Sequence, residues 1–489
     1  MLKKRTAILM MVISLIVGSL LTMFLTGSNS IAGQASSGEG LLASITSGGL
    51  KAEETRKIGA AIDLIEGNYY KDIERSALVD GAINGMMEAL SDPYSTYMGQ
   101  ETAQQFEESI EGSFSGIGAE VSMEDGNVVV VSPIKGSPAE KAGIRSKDIL
   151  LSVNGESLAG LELNAAVAKI RGVKGSTASI EVKRNGVAEP IKYAIVRDDV
   201  ALETVNASLR KDGIGMIEIT QFSLNTAERF KEELTNLEKQ GMKGLVIDVR
   251  NNPGGVLSVV IDITQQFVPK GELIVQVEDK NGKREKSFSK GSSKSYPITL
   301  LMNKGSASAS EILAGALQQS ADVVLVGENS FGKGTVQTSF DRQLGDGSLL
   351  KITIAKWLTP DGTWIHEEGI KPDIAVSQPD YFMVAPINKE KTLQFNKNSD
   401  DVKSAQVMLD GLGYKPGRVD GYFDVGTQKA VKTFQTSQKI KANGIIDSKT
   451  AEALEKVLIE HIQDPLNDTQ LKQGIAEVQK EIKAMASKK

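Results

Sequence analysis

The stretch NKGSASASEILAGAL, residues 303–317, sets Ser306, Ser308 and Ser310 at alternate positions ahead of an apolar, helix-forming run. A serine hydroxyl becomes a useful nucleophile only when a neighbouring base takes its proton. Ser308, Ala309, Ser310 and Glu311 fit Ser-x-x-Glu, the capping box in which the serine sits at the helix N-cap and the glutamate reaches back to its N–H. Ser306 and Ser310 have no acidic residue three places on. The pattern therefore singles out Ser308, and singles it out first as a cap. If a strand precedes the helix, the same position offers free amides and the positive end of the helix dipole, which would stabilise an oxyanion. Ala309 N–H is the natural donor, and a second is expected from Gly254 or Gly255 in RNNPGG, where the missing side chain lets backbone approach a substrate. Those glycines equally suit a tight strand-to-helix turn.

The base is harder to find. The 489 residues include no cysteine and two histidines, His366 and His461. Without cysteine there is no thiol nucleophile, no disulfide framework and no cysteine-based zinc site. Two histidines limit both metal chemistry and a histidine-based triad, so no metal or cofactor is expected. A lysine can serve instead when burial or a neighbouring charge lowers its pKa into the working range. The candidate is Lys333 in SFGKGTVQ. A helix of about 11 residues travels ~17 Å from Ser308, and DVVLVG returns ~20 Å as a strand, which lets Lys333 arrive beside it. A nucleotide hydrolase is the remote alternative, because GENSFGKGT stands one residue from a phosphate-binding P-loop. Gly334 there replaces the magnesium-binding hydroxyl, and the next segment reads as strand rather than the helix that loop requires.

The elements that must position these residues form a multidomain α/β chain of about three domains by length. With 56 Lys+Arg against 62 Asp+Glu the net charge is −6, and no basic field favours nucleic acid. Lys3, Lys4 and Arg5 precede an apolar run from Ala7 to Thr26, long enough to cross a bilayer, and residues 1–27 are expected to anchor the chain with the remainder outside the cytoplasm. Cleavage after Ser30, Ile31 and Ala32, releasing a secreted form, is the minor reading. Residues 28–52 have the composition of a flexible linker, and 53–111 the periodicity of a helical segment. Short strands and two short helices over 112–198 suggest a partly open barrel. Alternating strands and helices over 199–378 suggest an α/β layer with a buried sheet, whose sites lie at strand C-terminal ends. Residues 379–395 read as a linker, 396–457 as a small helical unit in which Asp424 and Asp447 cap helices, and 458–489 as a charged helical tail with a solvated face.

Three resemblances follow from the motifs. GIGAEV, VVVSPIKGSPAEKAGIRSKDILLSVNGESL and VKGSTASIEVKRNG resemble a PDZ domain, which implies that the backbone of Gly116, Ile117 and Gly118 holds the carboxylate of a peptide's C-terminus. VDGYFDVGTQKAVKTFQTSQKI and NGIIDSKTAEALEKV resemble a three-helix peptidoglycan-binding module. DPYSTYM, VIDVRNNPGG, NKGSASASEILAGALQ, VGENSFGKGTVQ and TPDGTWIHEEGIKPD resemble the carboxy-terminal processing peptidases, serine proteases of the tail-specific type in family S41. That resemblance implies Ser308 as nucleophile, Lys333 as general base and Gln337 as the residue orienting the lysine. Some members carry an acidic residue eleven positions after the serine; here it is Gln319, to which no role is given. The substrates implied are proteins or peptides with a free C-terminal tail, with self-association through the N-terminal helices. Arg171 in KIRGVKGS is either a link between tail binding and catalysis or an ordinary exposed arginine. The competing function is a catalytically silent scaffold with PDZ and cell-wall-binding modules, in which the capping box is only a cap.

Overall fold

The computed structural model describes residues 50–487 apart from positions 125 and 342. The predicted anchor and nearly all of the first linker lie outside the described residues. Among those described, no helix is long and apolar enough to cross a membrane. The chain divides into two compact units between Met86 and Met87. In the first, helix α1 (Ala52–Asn68) leads to α2 (Arg75–Glu88), and Arg75 bridges Asp63 at 3.1 Å and Glu66 at 2.6 Å. α1 buries none of its residues.

The second unit opens with a departure from the expected helical segment. Strand β1 (Thr96–Met98) precedes helix α3 (Gln100–Glu111) and belongs to a sheet of the α/β layer. Three residues of β-compatible type found a partner far along the chain, which periodicity within 53–111 could not reveal.

The PDZ-like part holds β2 (Ser113–Gly116), β3 (Ala119–Glu124), β4 (Asn127–Pro133), α4 (Pro138–Ala142), β5 (Ile149–Val153), β6 (Glu156–Ser157), α5 (Leu163–Ile170), β7 (Thr177–Lys183), β8 (Ile191–Val196) and β9 (Asp198–Ala201). Its sheet runs β3-β4-β5-β7-β8, with β3 at an open edge, while β2 pairs separately with β9. Val128, Val130, Leu150, Ile180 and Val182 alternate inward to make its core.

The α/β layer contains β10 (Val205–Leu209), β11 (Ile214–Ile219), α6 (Thr226–Lys239), β12 (Gly244–Asp248), α7 (Leu257–Thr264), β13 (Leu273–Asp279), β14 (Arg284–Phe288), β15 (Ile298–Met302), α8 (Ala309–Ala321), β16 (Val324–Gly327), β17 (Thr335–Phe340), β18 (Leu349–Leu358) and β19 (Ile374–Ala375). The main sheet has the order β10-β11-β12-β15-β16-β19, parallel from β11 onward. Its strands are apolar on both faces because both are covered. Leu245, Ile247, Leu300, Met302 and Leu325 pack toward α6, α7 and α8; Val246, Leu301 and Val326 face the other way. A second, antiparallel sheet runs β1-β18-β13-β14, with β17 also on β18.

What covers the other face corrects the sequence reading of the tail. The C-terminal module comprises α9 (Asp400–Gly411), α10 (Val425–Ser437) and α11 (Ser448–Gln463), and α12 (Thr469–Ser487) then returns to the main sheet. There Leu471, Ile475 and Val478 are buried against Ile214, Val246, Leu301 and Val326. The tail is therefore a packed helix and not a solvated one, because the sheet has a second apolar face to cover. The expected linker 379–395 also packs: Ile387 and Leu393 join the module's core with Leu409 and Phe434. Asp424 and Asp447 do cap their helices, accepting from Thr427 N–H at 2.8 Å and Thr450 N–H at 2.9 Å.

Candidate active site

Three loops leave the C-terminal ends of the neighbouring strands β12, β15 and β16, and they carry NNPGG, SASAS and FGKG in turn. The loops are stitched together by side chains fixed inside them. Asn251 and Asn303 exchange two hydrogen bonds, of 2.9 and 2.8 Å. Asn252, fully buried, donates to Ile219 O, and its carbonyl accepts Ala307 N–H at 3.0 Å and Ser310 Oγ–H at 2.9 Å. Ser306 donates to Val249 O at 2.8 Å and accepts from Asn303 N–H at 3.0 Å.

Two of the three serines are thus buried ties between loops. Ser308 differs from both. It is half-buried, it adopts φ 53° and ψ −109°, and it keeps the capping-box arrangement although its hydroxyl makes no cap hydrogen bond. A left-handed φ is costly for a residue with a side chain and outside the extended range usual at an N-cap. The sharp strand-to-helix turn that results is held by its neighbours.

Glu311 is the chief of these. Its fully buried carboxylate accepts from Ser308 N–H at 2.7 Å, as the capping box predicts. It also accepts from Ser330 Oγ–H at 2.6 Å, Gly332 N–H at 2.7 Å and Lys333 N–H at 2.9 Å. One carboxylate therefore fixes the backbone of Ser308 and of Lys333 at once. Phe331 N–H reaches Ser306 O at 3.0 Å and adds a second tie between the same loops. The first of Glu311's bonds was visible in the spacing; the other three depend on a loop that only the fold brings close.

Lys333 is framed by aromatic groups. Trp357 Nε1–H donates to its carbonyl at 2.9 Å, and its ammonium lies 5.1 Å from the Tyr94 ring centroid. The flanking glycines are required here: Gly332 has φ 91°, and a Cβ on Gly334 would meet Trp364 Nε1 at 2.7 Å. Burial holds the Lys333 ammonium below the ordinary lysine range, and the like charge of Lys351 adds to the effect. His366 comes closer than the sequence suggested. Its Nδ1 accepts Gly334 N–H at 3.3 Å and its ring stacks on Trp364, so it supports the lysine loop. His461 instead lies beside Tyr381 and Asn467.

Ser308, Ala309, Lys333, Gln337, Gly254 and Gly255 all line one cleft of ≈ 760 Å³. Gly254 approaches so closely that a Cβ there would meet Ser308 Cβ at 2.9 Å and Ala309 N at 3.0 Å. Its own N–H is engaged by Asn252 Oδ1 at 2.8 Å, whereas the N–H groups of Gly255 and Ala309 enter no hydrogen bond among the described residues. The Gln337 amide nitrogen donates to Thr335 Oγ1 at 2.9 Å and Thr353 Oγ1 at 3.1 Å, and among the described residues it forms no hydrogen bond with Lys333. Lys333 is followed by strand β17, which removes the helix a P-loop requires. Gln319 accepts Asp361 N–H at 3.0 Å.

Gly116, the last residue of β2, and Ile117 and Gly118, which lead into edge strand β3, do not line this cleft. Ile117 O accepts from Ala139 N–H and Gly118 O from Ser137 Oγ–H, which holds the loop while the N–H groups of Ile117 and Gly118 remain unused among the described residues. Arg171, at the end of α5, lies 4.9 Å from the Phe114 ring centroid and reaches Glu108 on α3 at 2.5 Å.

An α/β layer with a strained serine at a strand-to-helix turn and a half-buried lysine in the same cleft defines a serine hydrolase with an attached PDZ domain. The comparisons make the class specific. The sequence model of peptidase family S41 matches residues 213–376, a PDZ domain 115–194, a peptidoglycan binding domain 398–454, and the N-terminal domain of the activating protease CtpB 15–102. The carboxy-terminal processing protease CtpB of Bacillus subtilis (strain 168) is 48% identical over 423 residues, 86% of this chain and 88% of that protein. CtpA of the same organism is 43% identical over 471 residues, 96% of this chain and 97% of that protein. Among solved structures, the photosystem II D1 C-terminal processing protease is 28% identical, covers 67% of this chain and 94% of its own, and has a TM-score of 0.40. The chain belongs to peptidase family S41 and is a serine protease of the carboxy-terminal processing type.

Proposed function

We propose that the protein cleaves peptide bonds with Ser308 as nucleophile and Lys333 as base, acting on substrates whose C-terminal tails dock in the PDZ domain. Neutral Lys333 takes the proton from Ser308 Oγ, which bonds to the carbonyl carbon of the substrate. The oxyanion that forms accepts from the N–H groups of Ala309 and Gly255, while Gly254 keeps the backbone close by having no side chain. Lys333 returns its proton to the amine that leaves as the C–N bond breaks. Water, deprotonated by Lys333, then hydrolyses the acyl ester and restores the Ser308 hydroxyl. Gln337, whose amide nitrogen is held by two threonines, has its oxygen left to orient the lysine ammonium. The observation that carries this reading is the contrast among the serines: two hydroxyls are bonded and buried, and the third faces a cleft that holds a lysine of depressed basicity.

The loop at Gly116, Ile117 and Gly118 would hold a tail's carboxylate through its unused N–H groups, with the tail added as a strand to β3. Arg171 would report docking to α3, whose residues Phe106 and Ile110 line the catalytic cleft. Residues 1–27 would anchor the enzyme at the outer face of the cytoplasmic membrane, the module around α9 to α11 would contact peptidoglycan, and the N-terminal helices would associate two or more chains. The test is to incubate the purified protein with a folded protein ending in an apolar, unstructured tail, beside Ser308→Ala and Lys333→Ala variants. The parent shortens the substrate and both variants leave it intact. Equal cleavage by the Ser308→Ala variant would remove the assignment, and nucleotide binding that Lys333→Ala abolishes would restore the P-loop alternative.

A further inference from the structure

Lys351 lines the catalytic cleft with Ser308, Lys333 and Gln337, and the chemistry above does not use it. It stands on β18 two residues before Thr353, the acceptor from Gln337, and residues two apart on a strand share a face. At about 3.3 Å per residue the two Cα atoms are ~7 Å apart, so its side chain rises one pleat from the groups that surround Lys333. The strand register fixes it there: Lys351 pairs with Ser339 of β17 on one side and Thr96 of β1 on the other. Both neighbours are ordered strands, so the position does not depend on a loose loop.

Its surroundings answer the charge only at a distance. The ammonium lies 5.2 Å from the Phe106 ring centroid, and the residue is half-buried. Among the described residues Lys351 enters no ion pair, and the one opposite charge that acts on it is that of Asp92. Asp92, the carboxylate whose charge reaches it, is itself engaged by Tyr94 N–H at 3.1 Å and Ser95 Oγ–H at 2.5 Å. A lysine that needs only hydration lays its stem along the surface and carries its ammonium out to water. An ammonium held in a cleft without a direct ion pair is stabilised when something that enters supplies one. What enters this cleft is polypeptide, and the group on a polypeptide that complements an ammonium is a carboxylate.

We propose that Lys351 is a specificity-determining residue that receives a carboxylate of the substrate near the scissile bond, supplied by an Asp or Glu side chain or by the chain's own terminus. The reading rests on the Ser308 cleft being the site of cleavage. It adds a charge preference to a cleft that also has apolar walls at Phe106, Ile110, Val336 and Trp357.

The experiment uses the full-length enzyme and one internally quenched peptide made in matched forms: Glu or Gln at the positions flanking the cleaved bond, and a free or amidated C-terminus. The cleaved bond is located by mass spectrometry, and kcat/KM is measured for the parent, Lys351→Met and Lys351→Arg. The parent cleaves at least one carboxylate form faster than its neutral partner, Lys351→Met lowers that ratio about tenfold, and Lys351→Arg keeps it. A fall in the ratio confined to the Glu and Gln pair assigns the carboxylate to a side chain; one confined to the acid and amide pair assigns it to the terminus. The PDZ domain's own preference for a free terminus is common to parent and variant and cancels in the comparison. An acid-to-neutral ratio that is the same in Lys351→Met as in the parent overturns the proposal, including the case in which all forms slow alike. Cleavage by a parallel Ser308→Ala variant at the parental rate would overturn this proposal and the site together.

Discussion

Glu311 shows how much one side chain can decide at this site. Its carboxylate holds Ser308, Ser330, Gly332 and Lys333, and bonds to a charged acceptor contribute about 1.5 to 3 kcal/mol each. Removing the acceptor strands buried donors, so Glu311→Ala is expected to lose at least ~3 kcal/mol in urea unfolding and more than tenfold in kcat, while Glu311→Gln retains part of both. Unchanged stability and kcat in Glu311→Ala would separate the serine loop from the lysine loop. The pH profile follows from the two cleft lysines. With Lys333 as the proposed base its neutral form is the active one, so activity is expected to fall as pH drops through its pKa, which burial and Lys351 keep below the ordinary value of about 10.4. Taking away the neighbouring charge lets Lys333 hold its proton to higher pH. The acidic limb of kcat against pH should therefore move upward in Lys351→Met and stay in place in Lys351→Arg; a limb unmoved by either contradicts the coupling.

At the scale of elements, the main sheet is covered on both faces, and the second cover is the helix that ends the chain. Leu471 is nearly fully buried there, and truncating a buried leucine costs about 2 to 5 kcal/mol. Leu471→Ala should lower the urea midpoint accordingly, and a loss under about 0.5 kcal/mol would mean that α12 is not part of the core. Arg250 ties the same helix to the start of NNPGG, reaching Asp468 at 2.8 Å as well as Asp248 at 2.6 Å. This contact marks the limit of what sequence can carry. The capping box at Ser308, the strand-helix alternation and the loops at strand C-terminal ends are local patterns and were legible. The docking of α12 on the sheet, the pairing of β1 with β18 and the meeting of Tyr94 with Lys333 join residues distant in sequence, and no local periodicity encodes them. The family resemblance supplied Gln337, yet not that Thr335 and Thr353 hold its amide. It likewise did not show that Gly254 N–H is committed to Asn252, which leaves Gly255 as the free donor.

For the whole molecule, the question is how tail binding at the PDZ domain reaches the cleft. The Arg171 to Glu108 pair joins α5 to α3, and a partly exposed pair adds only about 0 to 1 kcal/mol to stability. Arg171→Ala should leave the melting temperature within about 2 °C while lowering kcat on a tail-bearing protein severalfold. Parental kcat in that variant would leave the pair a surface contact with no part in coupling. The central claim, that Ser308 alone among the alternate serines is activated and that Lys333 activates it, is tested most directly by a fluorophosphonate reagent followed by peptide mapping. One adduct is expected, on Ser308, with none on Ser306 or Ser310, and it is lost in Lys333→Ala. An adduct on another serine, or undiminished labelling of Ser308 in Lys333→Ala, would contradict the claim.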